Sequence, residues 1–207
     1  MSENGWDRSG SEDAMPFAAV PPTAAWSHLG ARTGFEVAYF RRTEHGYHIH
    51  GCTTAVDDDR TWFVEYELTL DAHWVTRAAM VRGRSGFGRR TALLEADGEG
   101  HWLVNGEKTP RLDGCLDVDL ESSALTHAFP VHRLELAVGA DSEAPAAYIR
   151  AADLSVGRLE QRYTRVEDHH GQQQYDYVSP VFDFRARLVY DRSGLVVSYP
   201  EIAVRTA

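Results

Sequence analysis

The segment from Gly114 to Leu120 carries the acidic pair with the most chemical potential in this sequence. Asp117 and Asp119 are two residues apart, so on a strand both side chains point to the same face. Their separation of about 7 Å suits a divalent cation, a hydroxyl-rich head group or the two acidic groups of an inverting glycosidase. A bare D-x-D is more often a solvated strand face, and the motif alone leaves these alternatives open.

The remaining residues with catalytic or metal-binding potential lack partners at useful spacings. Cys115 lies beside the two carboxylates, which would raise its thiol pKa and favour an inert thiol. His48 and His50 share a strand face and His169–His170 lie in a polar turn, but no third ligand is placed by spacing. The sequence lacks G-x-S-x-G, H-E-x-x-H, C-x-x-C and a glycine-rich phosphate loop. We therefore predict no catalytic residue, no metal ligand and no cofactor.

Aromatic residues that stand beside polar ones are more informative. Aromatic faces stack on sugars and acyl chains while Arg, Asp and Gln bond hydroxyls, so this mixture suits a glycolipid. Plain core packing explains any single aromatic equally well. The candidates and their polar neighbours are Trp74, Trp102, Tyr163, Tyr175, Tyr177, Tyr199, Arg77, Gln161 and Ser198.

The elements that position these residues are predicted to be strands. From Trp62 to Leu70 apolar residues alternate with polar ones, Phe63 being the exception, and the runs from Phe182 to Tyr190 and from His132 to Val138 repeat the pattern. Turn dipeptides that tolerate positive φ separate such runs. These dipeptides are Asp97-Gly98, Asn105-Gly106, Asp113-Gly114 and Ser193-Gly194.

Helical spacing is weak, with Glu121 to Phe129 as the best candidate, so an α/β fold is disfavoured. The sequence predicts an all-β fold with little helix, in which roughly ten to twelve strands form a curved antiparallel meander. Such a meander closes into a barrel, a half-barrel or a two-layer sandwich. We expect a ligand cavity inside it. Its expected walls are Trp62, Tyr66, Phe182, Phe184 and Tyr190, with Arg133 and Gln161 toward the open end.

Composition sets the protein class. The chain has 207 residues, 43% apolar and 25% charged, which is typical of one globular domain. Its net charge of −10 disfavours nucleic acid as a partner. Two cysteines, an acidic start without a secretory pattern, and no run of roughly 18 apolar residues predict a cytoplasmic protein without a transmembrane segment. We interpret residues 1–25 as a flexible tail and 26–207 as a single β domain.

Seven short motifs occur in an order that resembles the putative glycolipid-binding family of bacterial proteins, formerly a domain of unknown function. The resemblance covers about Trp26 to Arg205. The motifs are W-V-T-R (74–77), G-C-L-D-V-D-L (114–120), P-V-H-R-L (130–134), Q-R-Y (161–163), Y-D-Y-V-S (175–179), F-R-A-R-L-V-Y-D (184–191) and G-L-V-V-S-Y-P (194–200).

The resemblance implies a curved antiparallel sheet, similar in shape to bacterial lipoprotein carriers, with a ligand role. This sequence departs from the family pattern at His127, Val131 and His132, where Asn, Ile and Arg are expected. A histidine at 132 would make the local charge depend on pH.

The sequence therefore favours a non-catalytic protein that binds a glycolipid or another amphipathic small molecule. Two alternatives stay open: an enzyme acting on a carbohydrate or lipid ester through Asp117 and Asp119, and a structural β domain without ligand. The predicted ligand-binding residues are Trp74, Arg77, Asp117, Asp119, Thr126, His132, Arg133, Gln161, Tyr163, Tyr175, Tyr177, Phe184 and Tyr199.

Overall fold

The computed structural model describes residues 17–30, 32–57, 60–121 and 123–207, and these are dominated by short and medium strands. One α-helix, α1 (Ala128–Leu134), and the 3₁₀ helices Pro110–Leu112, Leu125–His127 and Pro180–Phe182 complete the regular elements of the described ranges. In chain order the strands are β1 (Thr23–His28), β2 (Arg32–Thr43), β3 (Gly46–Asp57), β4 (Arg60–Asp71), β5 (Thr76–Ser85), β6 (Gly88–Ala96), β7 (Trp102–Val104), β8 (Glu107–Lys108), β9 (Asp117–Leu120), β10 (Asp141–Glu143), β11 (Ala146–Ile149), β12 (Val156–Leu159), β13 (Arg162–His169), β14 (Gln172–Ser179), β15 (Phe184–Tyr190), β16 (Val196–Tyr199) and β17 (Ala203–Arg205).

Fourteen strands form one large antiparallel sheet, in the order β10-β13-β14-β15-β16-β17-β1-β2-β3-β4-β5-β6-β7-β8. The sheet is curved but not closed, because its edge strands β10 and β8 do not pair with each other in the described chain. The all-β antiparallel prediction is confirmed. A second sheet, in the order β12-β11-β9, contains a parallel pair that the sequence pattern did not predict: β9 runs parallel to β11.

The centre of the large sheet follows the period-two pattern closely. The strands β2, β3 and β4 pair in unbroken register, and Trp62, Val64 and Tyr66 of β4 are buried while Phe63 is exposed. Gly51 of β3 lies directly opposite Tyr66, where an added Cβ would stand 2.4 Å from the phenol oxygen. Glycine is therefore required at this position by the close approach of the tyrosine ring.

Three of the four predicted turn dipeptides connect neighbouring antiparallel strands. Asn105 and Gly106 both have positive φ, 51° and 81°, and close the tight turn from β7 to β8. Asp97-Gly98 and Ser193-Gly194 lie in the β6–β7 and β15–β16 connections. The prediction for Asp113-Gly114 is wrong, because this pair follows the 3₁₀ helix Pro110–Leu112 and leads into β9 of the second sheet.

The predicted strand from His132 to Val138 is a helix in its first part. The helix α1 ends at Leu134, and Leu125, Ala128, Phe129 and Val131 are buried before it ends. Every residue from 123 to 131 is buried, so burial in this segment shows neither the helical period nor the period of two. The alternation after His132 continues beyond the helix without forming a strand, so short-range pattern alone misassigned the element.

The core explains where the predicted cavity walls lie. Residues of β1 to β6 form one apolar cluster with residues of β9, β11 and α1, so the second sheet and the helix cover the inner face of the large sheet. A smaller aromatic cluster joins β13 to β16. Trp62, Tyr66 and Tyr190 are packed in these clusters. They therefore do not line an open hollow, contrary to the expectation from their alternation.

The predicted boundary at residue 26 falls inside β1. Thr23 to Ala25 pair with β2, and Ala24 and Ala25 are buried. Phe17 already packs against His132, with ring centroids 4.4 Å apart. The predicted flexible tail is therefore too long at its C-terminal end, and its residues 1–16 lie outside the described ranges. No helix of the described ranges is long and apolar enough to cross a membrane.

Candidate functional site

Asp117 and Asp119 lie on β9 and share one face, as the alternation predicts, but that face is not solvated. Both side chains are buried, at 1% and 6% exposure. The segment from Thr126 to Arg133 covers them, because Thr126 bonds Asp119 and Arg133 bonds Asp117. The solvated-face interpretation of the D-x-D motif is therefore wrong for this chain.

Asp117 forms a side-on ion pair with Arg133. The guanidinium donates from Nε to Oδ1 at 3.2 Å and from Nη2 to Oδ2 at 2.6 Å. Burial raises the pKa of Asp117, and the arginine opposes this shift by bonding and charge. Both carboxylate oxygens already accept hydrogen bonds, so the pair anchors α1 to β9 and leaves Asp117 poorly placed for acid–base chemistry.

Asp119 is compensated by neutral donors instead. Its Oδ1 accepts a hydrogen bond from the Thr126 hydroxyl at 3.1 Å, and its Oδ2 accepts a short one from the Gln161 amide. Gln161 is itself only 1% exposed, and its Oε1 lies 3.2 Å from the Tyr163 hydroxyl. Tyr163 in turn lies 2.8 Å from Nδ1 of His127. A continuous buried chain thus links Asp119 to His127.

The direction of each bond in this chain fixes the tautomer of His127. Since the Gln161 amide nitrogen donates to Asp119, its oxygen faces Tyr163 and accepts the phenol proton. The phenol oxygen must then accept from His127, so Nδ1 carries the proton and Nε2 keeps a lone pair. Burial lowers the pKa of His127, and the charge of Asp119 opposes this only in part. His127 is therefore neutral at physiological pH.

His127 opens onto a pocket between the second sheet and the strands β14 to β16. The pocket has a volume of about 250 Å³, and four of the predicted site residues line it: Asp119, Tyr177, Phe184 and Tyr199. Its other lining residues are Arg32, Leu120, Glu121, Ser123, His127, Tyr148, Leu159, Ser179, Phe182 and Ile202. A wider depression of about 590 Å³ beside Asp97 and His101 is lined by the candidate aromatic Trp102 but by none of the thirteen predicted ligand-binding residues.

Ser179 is the polar group of the pocket with unused hydrogen-bonding capacity. It is 1% exposed, and its hydroxyl makes no hydrogen bond of good geometry within the described chain, although the Tyr177 phenol is close enough to interact with it. Burying a hydroxyl without a partner costs free energy. A ligand hydroxyl entering the pocket would remove that cost.

Aromatic rings form another part of the pocket wall. The Tyr148 and Phe182 rings lie 5.7 Å apart, and Phe184 lies 5.9 Å from Tyr199. Burial raises the pKa of the Tyr148 phenol, as does the charge of Glu121, and burial also raises the pKa of Tyr199. These phenols are therefore uncharged, and the wall offers ring faces and neutral hydroxyls.

Several predicted residues lie in a second place, next to the N-terminal segment. The rings of Trp74 and His132 stack with centroids 3.7 Å apart and planes inclined by 7°. Burial lowers the pKa of His132 to about 4, against the hydrogen bond to the Ser193 carbonyl. The predicted charge change at His132 is therefore displaced to acid pH. Trp74, His132 and Arg133 line a polar depression of about 380 Å³ there.

Of the remaining predicted residues, some stand behind the pocket and others lie away from it. Thr126, Gln161 and Tyr163 stand behind the pocket and hold Asp119 and His127 in place. Arg77 lies apart, with its Nη1 3.8 Å from Asp71. Tyr175 also lies apart: it packs on Tyr190, and the Arg165 guanidinium lies 5.2 Å above its ring.

Sequence reasoning missed several residues that line the pocket. Ser179 closes the Y-D-Y-V-S motif, and His127 is a position where the chain departs from the family pattern, so both carried a signal. Phe182 was expected as a cavity wall but was placed on a strand, whereas it lies in the 3₁₀ helix Pro180–Phe182 and is 46% exposed. Arg32 and Tyr148 carried no signal, because only the tertiary fold brings them here.

Comparison with known proteins agrees with this architecture. Residues 23–205 match the model of a family described as "putative glycolipid-binding". A crystal structure of a DUF1089 family protein from Pseudomonas aeruginosa is 34% identical, with a TM-score of 0.71 over 83% of this chain and 92% of that one. A β-barrel-like protein of the DUF1849 domain from Brucella abortus is 11% identical, with a TM-score of 0.56 over 91% and 95%, and shares the fold alone. No curated protein matches the chain.

Proposed function

Because the chain belongs to this glycolipid-binding family, we propose that it binds the head group of a glycolipid, or of a similar amphipathic small molecule, in the pocket between β9 and β14–β16. The observation that carries the proposal is that one pocket is lined by both aromatic rings and buried polar groups. Among the polar groups, the Ser179 hydroxyl and His127 Nε2 have bonding capacity to spare.

The size of the pocket decides which part of the ligand it holds. Sites for drug-sized ligands measure roughly 300–1,000 Å³, so a pocket of about 250 Å³ holds a head group and not a long acyl chain. Phe182 at the pocket is 46% exposed and the adjacent Val181 is 65% exposed. An acyl chain leaving the pocket would pass these two apolar side chains.

Binding without turnover is favoured by the way the carboxylates are engaged. The alternative enzyme needs Asp117 and Asp119 as an acid–base pair facing one substrate. Asp117 is held by Arg133 and does not line the pocket, while both oxygens of Asp119 accept hydrogen bonds from protein groups. A single pocket carboxylate, already engaged, suits orientation of a ligand better than proton transfer.

The test is titration of the protein with n-octyl β-D-glucopyranoside below its micelle concentration, by calorimetry and by native mass spectrometry. We expect a one-to-one complex and no release of octanol. Phe184→Ser should weaken binding by about tenfold, since it removes an apolar wall worth on the order of 1–2 kcal/mol. Phe63→Ser is the matched control, because Phe63 is exposed on β4 and does not line the pocket. Equal effects of both variants, absence of binding, or release of octanol would each contradict the proposal.

A further inference from the structure

The described lining of the pocket carries more negative than positive charge. Asp119 and Glu121 bring two carboxylates, and Arg32 brings the guanidinium found among the described lining residues. That guanidinium is engaged with Glu121, donating to its main-chain oxygen at 2.8 Å and lying 3.8 Å from its carboxylate. The negative charge of Asp119 is thus left without a cationic partner among the described pocket groups.

The charge of Asp119 acts on the phenols around the pocket, although the Arg32 guanidinium opposes it at Tyr148. After burial, the charge of Asp119 is the main cause of the raised pKa of Tyr177, and it contributes to the raised pKa of Tyr148, Tyr163 and Tyr199. Asp119 would repel the ionised form of each of these phenols, and an anionic ligand in the pocket would meet the same repulsion. Like charges brought together at a desolvated site cost several kcal/mol.

The polar atoms facing the pocket lead to the same result. His127 offers the Nε2 lone pair, which accepts a hydrogen bond but repels an anion. Ser179 offers a hydroxyl that both donates and accepts. These are partners for ligand hydroxyl groups, whereas phosphate and carboxylate groups prefer arginine forks or clustered backbone N–H groups.

We propose that this pocket selects an uncharged, hydroxyl-bearing sugar ring and rejects head groups that carry a phosphate or carboxylate, with Asp119 as the residue that sets this preference. The inference rests on the proposed head-group site and adds its ligand class. One ring hydroxyl donates to Nε2 of His127 and another exchanges hydrogen bonds with Ser179, while the ring face lies on the aromatic wall.

The test compares two probes that differ at one carbon. n-Octyl β-D-glucopyranoside carries a hydroxymethyl group where n-octyl β-D-glucopyranosiduronic acid carries a carboxylate, and ring and tail are the same. At neutral pH we expect the neutral probe to bind at least about tenfold more tightly, since each tenfold ratio corresponds to about 1.4 kcal/mol. Equal or tighter binding of the acid would overturn the charge preference while leaving the head-group site standing. Binding of neither probe would remove both.

A single substitution tests whether Asp119 causes the preference for the neutral probe. Asp119→Asn keeps the size of the side chain, and its amide can still bond Thr126 and Gln161. We expect the ratio of the two affinities to fall to within about threefold. Asp176→Asn is the matched control, because Asp176 is half-buried on β14 and pairs with Arg187 outside the pocket. An unchanged ratio in Asp119→Asn, or the same fall in the control, would refute the role of Asp119. The wild-type comparison does not depend on how well the variant folds.

Discussion

Replacing Glu36 by Gln should change the pH dependence of stability more than any other conservative substitution in this chain. Glu36 lies on β2 with 0% exposure. Its Oε1 accepts hydrogen bonds from the Tyr66 hydroxyl at 2.7 Å and from the Ser123 hydroxyl, and its Oε2 accepts from the Ala124 N–H at 2.8 Å. Besides Tyr66, the titratable group facing it is Cys52, whose pKa is raised by burial and by nearby Glu65 and Glu36.

The magnitude follows from burial. Desolvation raises the pKa of Glu36 from 4.5 to about 7, against hydrogen bonds that lower it. A raised carboxyl pKa means that the folded state holds the proton more tightly than the unfolded state. The stabilisation is therefore complete below pH 4.5 and is lost as the pH rises through about 7. At 1.4 kcal/mol per unit, the loss is about 3 kcal/mol.

Glutamine removes this titration without removing the hydrogen bonds. Its amide nitrogen can take the Oε1 place and donate to the two hydroxyl oxygens, while its oxygen accepts from the Ala124 N–H. The stability of Glu36→Gln relative to wild type should thus rise by about 3 kcal/mol between about pH 4.5 and pH 8.5. At the upper pH we expect the variant to be the more stable protein.

Urea denaturation at a series of pH values measures this difference directly. Glu67→Gln is the control, since Glu67 is an exposed carboxylate on β4 beside Arg82, and its curve should run parallel to that of wild type. Parallel curves for Glu36→Gln and wild type would refute the reasoning, because they would mean that folding does not shift the titration of Glu36.

The remaining predictions concern single contacts. Arg133→Met should lower the free energy of unfolding by about 3 kcal/mol, because it leaves Asp117 buried without its cation, and the added change Asp117→Asn should restore part of the loss, as equilibrium urea melts would show. Gly51→Ala should lower it by about 2 kcal/mol through overlap with the Tyr66 ring. Gly157→Ala, which has open space on β12, should have little effect in the same assay, and a similar loss there would argue against the overlap. Ser179→Ala should raise the melting temperature slightly, since it removes a buried hydroxyl that makes no hydrogen bond of good geometry, yet weaken octyl glucoside binding by about threefold; unchanged binding would contradict the contact.

The fold was predictable where one local rule acted on a long segment. The strand β4 has twelve residues, and the buried face that repeats from Trp62 to Leu70 leaves one interpretation. Short segments gave an incomplete signal, because the alternation in 114–120 predicted β9 as a strand but not its pairing. The strands β9 and β11 have four residues each and are covered on both sides, so they show no alternation of burial, and nothing local indicates that they run parallel. The second sheet therefore escaped the pattern, and the hollow that it fills was predicted as open.

The candidate site was predictable as a set of residue types but not as one place. Tyr177, Phe184 and Tyr199 fall on adjacent strands of one sheet, and the motifs that contain them meet at the pocket. Trp74 and His132 also meet, but at a separate depression. Which motifs converge depends on where the 3₁₀ helix Leu125–His127 and α1 cross β9, and that is decided by packing between residues far apart in the chain.

The two aspartates show why an identical residue type at a regular spacing does not imply a shared task. Both are buried on one face of β9, so each must be compensated. Asp117 is compensated by a full positive charge, which offsets its own and ties α1 to the sheet. Asp119 is compensated by a hydroxyl and an amide, which satisfy its oxygens but leave its charge in place. The charge of Asp119 is then felt by the phenols and the imidazole around the pocket. Removing charge from Asp117 should therefore change stability, and removing it from Asp119 should change which ligand is bound.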